Sequence, residues 1–203
     1  MSRTIALLIV AVLVTAGGRA YAQETQSGPG KVEVTLIPGG GTFFLSKNGT
    51  DSFRNYEIGG AGAYNFTRIL GIEGEIGGSI GVSQTLRSGG VLSDVKSPNM
   101  LTYAGNVIAN VPAGHVVPYA TAGIGSLTMY SKPELNLPTS ERHFTGNIGG
   151  GVKWYASNGR WGLRGDYRFI GVRTGSTGSE FFGVDTTRYA NRIYGAVLIN
   201  AVK

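Results

Sequence analysis

Two groups of charges carry most of the chemistry this sequence offers. Glu73 and Glu75 stand two residues apart in Gly71-Ile72-Glu73-Gly74-Glu75, and Arg164, Asp166 and Arg168 alternate with Gly165 and Tyr167. Residues spaced by two share one face of an extended strand. A carboxylate pair on one face is an arrangement that general acid–base catalysis uses. The same five charges can instead neutralise one another as a buried network, since buried ions are tolerated only when paired and hydrogen-bonded. Glu57, Lys153 and Arg192 extend that set. We read the eight residues as a structural charge network and assign no catalytic, cofactor-binding or metal-binding residue.

The remaining candidates are weaker. His115 and His143 are the only histidines, and His143 stands near Ser131, Ser140 and Glu141. A histidine that activates a serine hydrolyses esters, but such a triad is recognised by geometry and this spacing is not diagnostic. His115 falls on a short turn. Gly146 to Lys153 is glycine-rich, yet it lacks the Gly-Lys-Ser/Thr ending of a phosphate loop and no helix follows. Asn48-Gly49-Thr50 has the form of a glycosylation acceptor, and Asp51, Asp94 and Asp185 are too separated to build a calcium loop. The chain has no cysteine, which excludes thiol chemistry, disulfides and cysteine-ligated metals. No cofactor is called for.

The elements that would position these charges follow from the alternation. Eight segments have a period of two: residues 32–45, 56–66, 69–83, 100–111, 116–130, 142–156, 160–173 and 189–202. Strands of soluble proteins centre on about 5–6 residues, whereas a tilted membrane strand needs about 9–11. The connections alternate in length. Thr67-Arg68, Pro112–His115 and Ser157–Gly159 are short, while Ser46–Asn55, Gln84–Asn99, Ser131–Glu141 and Thr174–Arg188 are long. Short turns on one side and long loops on the other are the rhythm of outer-membrane barrels.

Facing follows from the same pattern. In the third segment Leu70, Ile72, Gly74, Ile76, Gly78, Ile80 and Val82 oppose Gly71, Glu73, Glu75, Gly77 and Ser79. In the seventh, Trp161, Leu163, Gly165, Tyr167 and Phe169 oppose Arg164, Asp166 and Arg168. In the sixth, Phe144, Ile148, Val152 and Trp154 oppose Thr145, Asn147, Lys153 and Tyr155. The apolar faces are assigned to lipid and the polar faces to the lumen. In the eighth, Ile193, Gly195, Val197 and Ile199 go outward, placing Arg192 in the lumen. In an eight-strand barrel the third and seventh strands lie across from each other, and the interior is just wide enough for side chains to fill. Two aromatic girdles are expected: Tyr64, Phe66, Trp154, Tyr155 and Trp161 at the short turns, and Phe43, Phe44, Tyr56, Tyr130, Phe144 and Tyr189 at the long loops. Pro38 is assigned to a bulge or kink and Pro118 to a strand start.

Composition agrees. Glycine counts 34 of 203 residues, well above the usual ~7%, without a collagen period. Glycine weakens an ordinary strand, but a closed hydrogen-bonded barrel in lipid must pair every backbone group. The N-terminus has Arg3, an apolar run from Ile5 to Ala16, and Ala20-Tyr21-Ala22. That is the form of a secretory signal peptide cleaved after Ala22, too short to be an anchor. Cleavage removes Arg3 and Arg19 and no acid, so the formal charge falls from +6 to +4. No basic run concentrates the remainder, so no nucleic-acid partner is read.

Tyr64-Asn65-Phe66 leading into Gly71-Ile72-Glu73-Gly74, the run Val117 to Gly125 (VPYATAGIG) and the run Gly149 to Tyr155 (GGGVKWY) resemble the small outer-membrane β-barrel family related to the OmpA transmembrane domain and OmpX. The resemblance spans essentially all of the mature chain. It implies structural barrels, adhesion or host-interaction proteins, and minor channels. One departure is the ending Asn200-Ala201-Val202-Lys203, where members often carry an aromatic residue. No peptidoglycan-binding domain follows, so wall tethering is not implied.

The reading is therefore all-β: a signal peptide over residues 1–22, then an eight-stranded antiparallel up-and-down transmembrane β-barrel over residues 23–203. Its expected role is structural or interactive in the outer membrane, with the lumen mostly closed by the charges. Expected partners are outer-membrane lipid and lipopolysaccharide, with extracellular partners at the long loops, and the barrel is expected to be monomeric. The alternatives are a narrow porin-like pore, an outer-membrane lipid hydrolase and a periplasmic soluble ligand-binding barrel.

Overall fold

Period-two alternation gives ten strands among the described residues. They are β1 (Val32–Phe44), β2 (Phe53–Asn65), β3 (Leu70–Gly81), β4 (Ser83–Ser88), β5 (Val91–Lys96), β6 (Met100–Asn110), β7 (Val116–Met129), β8 (Glu141–Tyr155), β9 (Trp161–Arg173) and β10 (Thr187–Val202). The structure, a computed structural model, describes residues 28–46, 51–88, 91–135, 137–174, 182 and 187–202. The expected leader, the Asn48-Gly49-Thr50 acceptor and Asp185 lie outside them.

Eight strands close a barrel in the order β1-β10-β9-β8-β7-β6-β3-β2, each antiparallel to both neighbours. Closure leaves no sheet edge, the condition for crossing lipid with strands. No helix among the described residues is long and apolar enough to cross a membrane. The strand ends of the barrel coincide with those read in the sequence or fall within three residues of them. The largest shift is at β2, where Phe53 pairs with Phe44 beyond the apolar stretch that marks the segment.

The short turns are built locally. Thr67 Oγ1 accepts from the backbone N–H groups of Ile69 and Leu70 at 3.1 and 2.9 Å. Gly114 and Gly159, with φ of +70° and +59°, take the left-handed conformation that the other two short turns require. Pro38 lies where the β1 register slips against both neighbours, between Leu36 and Gly40. A bulge there spares the missing N–H. Pro118 is the third residue of β7.

The long connection expected over residues 84–99 is not an open loop. It contains the hairpin β4–β5, paired from Ser83↔Lys96 to Ser88↔Val91. Each arm is six residues long, too short to read as a membrane strand, and an isolated hairpin is marginal in water. Leu86 is buried. The Gln84 amide both accepts from Arg54 N–H at 3.0 Å and donates to Arg54 C=O at 2.8 Å, continuing the β2 ladder with a side chain. Pro133–Leu135 forms a short helical turn in the next connection.

Large apolar side chains lie outside: Ile124, Ile148 and Phe66 are 62–63% exposed, and the outward residues assigned on the third, sixth, seventh and eighth segments follow them. Two girdle assignments change. Tyr155 and Phe44 are 0% and 2% exposed and point inward, because each follows or precedes an outward aromatic neighbour, Trp154 or Phe43. The remaining girdle aromatics are exposed, with Trp154 and Trp161 edge-to-face at 5.6 Å and Phe169 stacked on Tyr189 at 5.3 Å.

Candidate functional site

The inward face of the barrel is filled in layers. Nearest the short turns, Glu33 on β1 receives Lys153 Nζ at 2.6 Å and the Tyr155 hydroxyl, both from β8. Lys153 is 0% and Glu33 1% exposed. Glu33 shares the inward face of β1 with Thr35, which is 2% exposed.

Above it, Glu73 on β3 meets Arg164 and Arg168 on β9, across the barrel. Arg164 Nη1 and Nη2 both reach Glu73, and Arg168 Nη2 donates to it at 2.8 Å. Asp166 lies between the two arginines, 2.8 Å from Arg164 Nη2 and 3.0 Å from Arg168 Nε. Tyr119 on β7 accepts from Arg164 Nε at 2.7 Å and donates to Asp166. Its ring also lies under the Arg164 guanidinium at 4.8 Å. Asn106 donates to Glu73 at 3.4 Å and accepts from Asn147 at 3.0 Å, carrying the hydrogen bonds to β6 and β8.

The next layer holds Glu75 and Glu57. Arg168 Nη2 is 3.2 Å from Glu75, and Arg192 on β10 donates to the same carboxylate. Tyr194 adds a hydrogen bond to Glu75 at 3.2 Å. Glu57 on β2 accepts from Thr42 at 2.8 Å and from Ser79, with Arg192 Nη1 at 3.7 Å. All eight residues singled out in the sequence thus face the interior and are brought within two linked clusters, with Lys153 reaching Glu33 instead of the central group. The sequence reading did not include Glu33, Tyr119, Tyr155 or Tyr194. Tyrosines on inward parity read as girdle or filler until a cation is seen beside them.

Toward the long loops the filling turns apolar. Phe44 and Phe53 stack at 4.5 Å, and Phe182 packs on Phe44 at 5.6 Å. Met100, Leu127, Met129 and Val172 complete this layer. A cavity of about 30 Å³ lies between the two layers, bounded by Thr42, Glu75, Ser79, Asn147 and Arg192, room for about one water molecule.

Five carboxylates face four cations in this network, and each carboxylate is held by a guanidinium or an ammonium group; a fifth buried cation, Arg188, lies in the layer above, over the Phe182 ring at 5.7 Å and donating to the Asp51 carbonyl at 3.1 Å. Carboxylates so held are acceptors within an ion network; of the five, Glu57 is held most loosely, its Oε1 facing Arg192 at 3.7 Å without a hydrogen bond. His143 is 5% exposed, with Nε2 3.1 Å from Glu141 and its ring 5.5 Å from Phe182. Ser131 Oγ donates to the Pro138 carbonyl at 2.8 Å, and Ser140 Oγ accepts from Ser131 N–H at 3.1 Å. The serines are thus engaged in their own connection and not with the histidine. His115 Nδ1 lies 2.9 Å from the Tyr155 carbonyl at a short turn. Among the described residues no group of three or more histidines and carboxylates could hold a metal ion.

The sequence matches the family model described as outer membrane protein beta-barrel domain over residues 7–191. Among solved structures, it is similar to Neisserial surface protein A, at 11% identity over 84% of this chain and 97% of that one, with a TM-score of 0.56. It is also similar to the N-terminal β-barrel domain of Pseudomonas aeruginosa OprF, at 15% identity over 85% of this chain and all of that one, with a TM-score of 0.50. At these identities the likeness is one of fold. No curated protein matches the sequence.

Proposed function

This chain belongs to the outer membrane β-barrel family and resides in the outer membrane, and from that premise we propose that it is a structural and surface-interaction barrel with a closed lumen and no enzymatic activity. The observation that carries this reading is the interior: Glu33, Glu73, Lys153, Arg164, Asp166 and Arg168 are each at most 3% exposed and are linked across opposite walls. The eight residues read from the sequence are structural in this account. They lock strands together where a conducting pore would need continuous water.

An exported precursor loses residues 1–22, and the mature barrel inserts as a monomer. Its wall contacts outer-membrane lipid, including lipopolysaccharide, and the long loops offer the surface that meets extracellular partners. Binding residues concentrate on loops held by a rigid scaffold.

The test is conductance of the purified chain in a planar bilayer, with insertion verified by a shift between unheated and boiled protein on a gel. A folded, inserted barrel without steady conductance supports the closed lumen. Steady channels that vanish when Glu75 and Arg164 are replaced by large apolar residues would establish the narrow pore instead. Lipid deacylation lost in His143→Ala would establish the hydrolase.

A further inference from the structure

Every strand pair in the barrel but one joins strands linked by a single connection. The exception is the seam of β1 with β10, where Gly30 and Asn200 meet although 170 residues apart. Contacts of such separation close the largest loop and are rewarded late in folding. The seam is also irregular. The pairs that exclude β1 run without a register shift. Against β10, β1 slips between Val32 and Glu33 and again between Leu36 and Gly39. The short-turn half of the seam, Val32–Leu36 against Val197–Val202, is therefore a short ladder between the Pro38 bulge and the strand ends. Strand ends are where opening starts.

Residues 28–31 reinforce this half from below. Asn200 Oδ1 accepts from Gly30 N–H at 3.2 Å, and its Nδ2 donates to the carbonyls of Gly28 at 3.2 Å and Gly159 at 2.7 Å. The Asn200 backbone N–H donates to the Arg160 carbonyl at 2.9 Å. One residue thereby ties the segment before β1, the last strand and the turn between β8 and β9. On the other side of β1, Asn65 Nδ2 donates to the Gly30 carbonyl at 2.7 Å, and Asn65 N–H to the Lys31 carbonyl at 2.9 Å. Asn110 on β6 donates in turn to Asn65 at 3.5 Å. The hydrogen bonds run from β6 to the β8–β9 turn, with Gly30 buried in their middle.

The segment is shaped for this place. A Cβ at Gly30 would lie 2.7 Å from the Val202 carbonyl oxygen and 2.9 Å from the Asn200 side chain, so only glycine lets the chain come this close to β10. Gly28 has φ of +147°, a conformation that other residues rarely take. The buried charges do not perform the same task. Glu33 ties β1 across the lumen to Lys153 and Tyr155 on β8, and leaves the join between β1 and β10 to the backbone ladder and to Asn200.

We propose that residues 28–31 are a strap and Asn200 its clasp, which together hold the short-turn half of the β1–β10 seam shut. Closure of the barrel is then fastened at one end by side-chain amides, independently of the charged layer. The clasp acts locally: without it the seam opens at its short ladder while the remaining strand pairs stay formed. It requires the closed barrel alone and does not depend on whether the lumen conducts.

The test is hydrogen–deuterium exchange of the full chain folded into phosphatidylcholine nanodiscs, read by NMR at single amides. Two regions are compared: the seam, residues 32–36 and 197–202, and the β6–β7 pair, residues 104–109 and 120–125. Asn200→Ala is expected to speed exchange at the seam by about tenfold, the effect of losing neutral hydrogen bonds that hold a local opening closed. The β6–β7 amides should exchange as in the wild type. Gly30→Ala, which leaves the Asn200 amide in place and displaces the strap, is expected to give the same local acceleration. It also decides the matter alone should Asn200→Ala fail to fold. Equal acceleration in both regions would be a general loss of stability and overturns the clasp. Seam exchange unchanged in either variant overturns it too.

Discussion

Lys153 and Glu33 show what a buried charge demands of its partner. They meet at 2.6 Å with almost no solvent contact, so either one alone would be an uncompensated ion in the barrel interior. Lys153→Met is expected to destabilise the folded barrel by about 3–5 kcal/mol, as is typical when one member of a buried pair is removed. Adding Glu33→Gln should recover much of that loss, because the charge left stranded is then gone. Urea unfolding in lipid vesicles measures both, and a double variant as unstable as the two losses added would show the residues to be uncoupled. The same logic applies to Arg168, which touches Glu73, Glu75 and Asp166. Arg168→Ala leaves three carboxylates with fewer cations and should cost at least as much as Lys153→Met. Alternation made the facing of these residues legible in the sequence, since parity alone separates Arg164 from Leu163. It did not reveal which charges meet. Lys153 was grouped with the β3–β9 cluster and instead reaches Glu33, because the partner of a lumen side chain is set by its height in the barrel, and strand stagger is not written in any one strand.

At the scale of elements, strand number and loop rhythm were open to reading because each spanning strand must be long, amphipathic and paired on both sides. The β4–β5 hairpin escaped for the opposite reason. Its arms are six residues long and gain their order from anchors elsewhere, chiefly Leu86 in the apolar layer and Gln84 on the Arg54 backbone. Gln84→Ala should therefore loosen the hairpin and leave the barrel intact. Limited proteolysis within residues 83–97 is expected to accelerate severalfold, while the unfolding midpoint of the barrel stays within about 0.5 kcal/mol of wild type, as for surface changes generally. A global loss of stability would mean that the hairpin is part of the barrel's cooperative unit. Glycines divide in the same way. A Cβ at Gly123 would strike the Gly105 carbonyl and the Asn106 side chain of the neighbouring strand, while one at Gly74 meets open space. Gly123→Ala is expected to slow refolding into vesicles and lower stability by about 1–3 kcal/mol. Gly74→Ala should be neutral or slightly stabilising, since alanine is the better-ordered residue wherever space allows.

For the molecule as a whole, the proposed closure is made twice, by different physics. The charged layer seals by ion pairing, and the apolar layer above it by close packing of Phe44, Phe53, Phe182 and their neighbours. Two seals in series predict a particular pattern of leakage. Trimming the charged layer with Glu73→Ala, Arg164→Ala and Asp166→Ala removes both sides of that pairing at once, and Arg168 keeps Glu75, so no single ion is stranded and the barrel can still fold. Ions entering from the short-turn side would then meet the phenylalanines, where dewetting and packing still block them. This triple variant should stay nonconducting in a planar bilayer. Replacing Phe44 and Phe53 with alanine alone should likewise give no steady current, because the network below remains paired. Combining the five changes should produce channels, with a conductance that neither set of changes yields alone. Conductance already present in the triple variant would show that the apolar layer is no seal, and that the charges alone determine whether this barrel conducts.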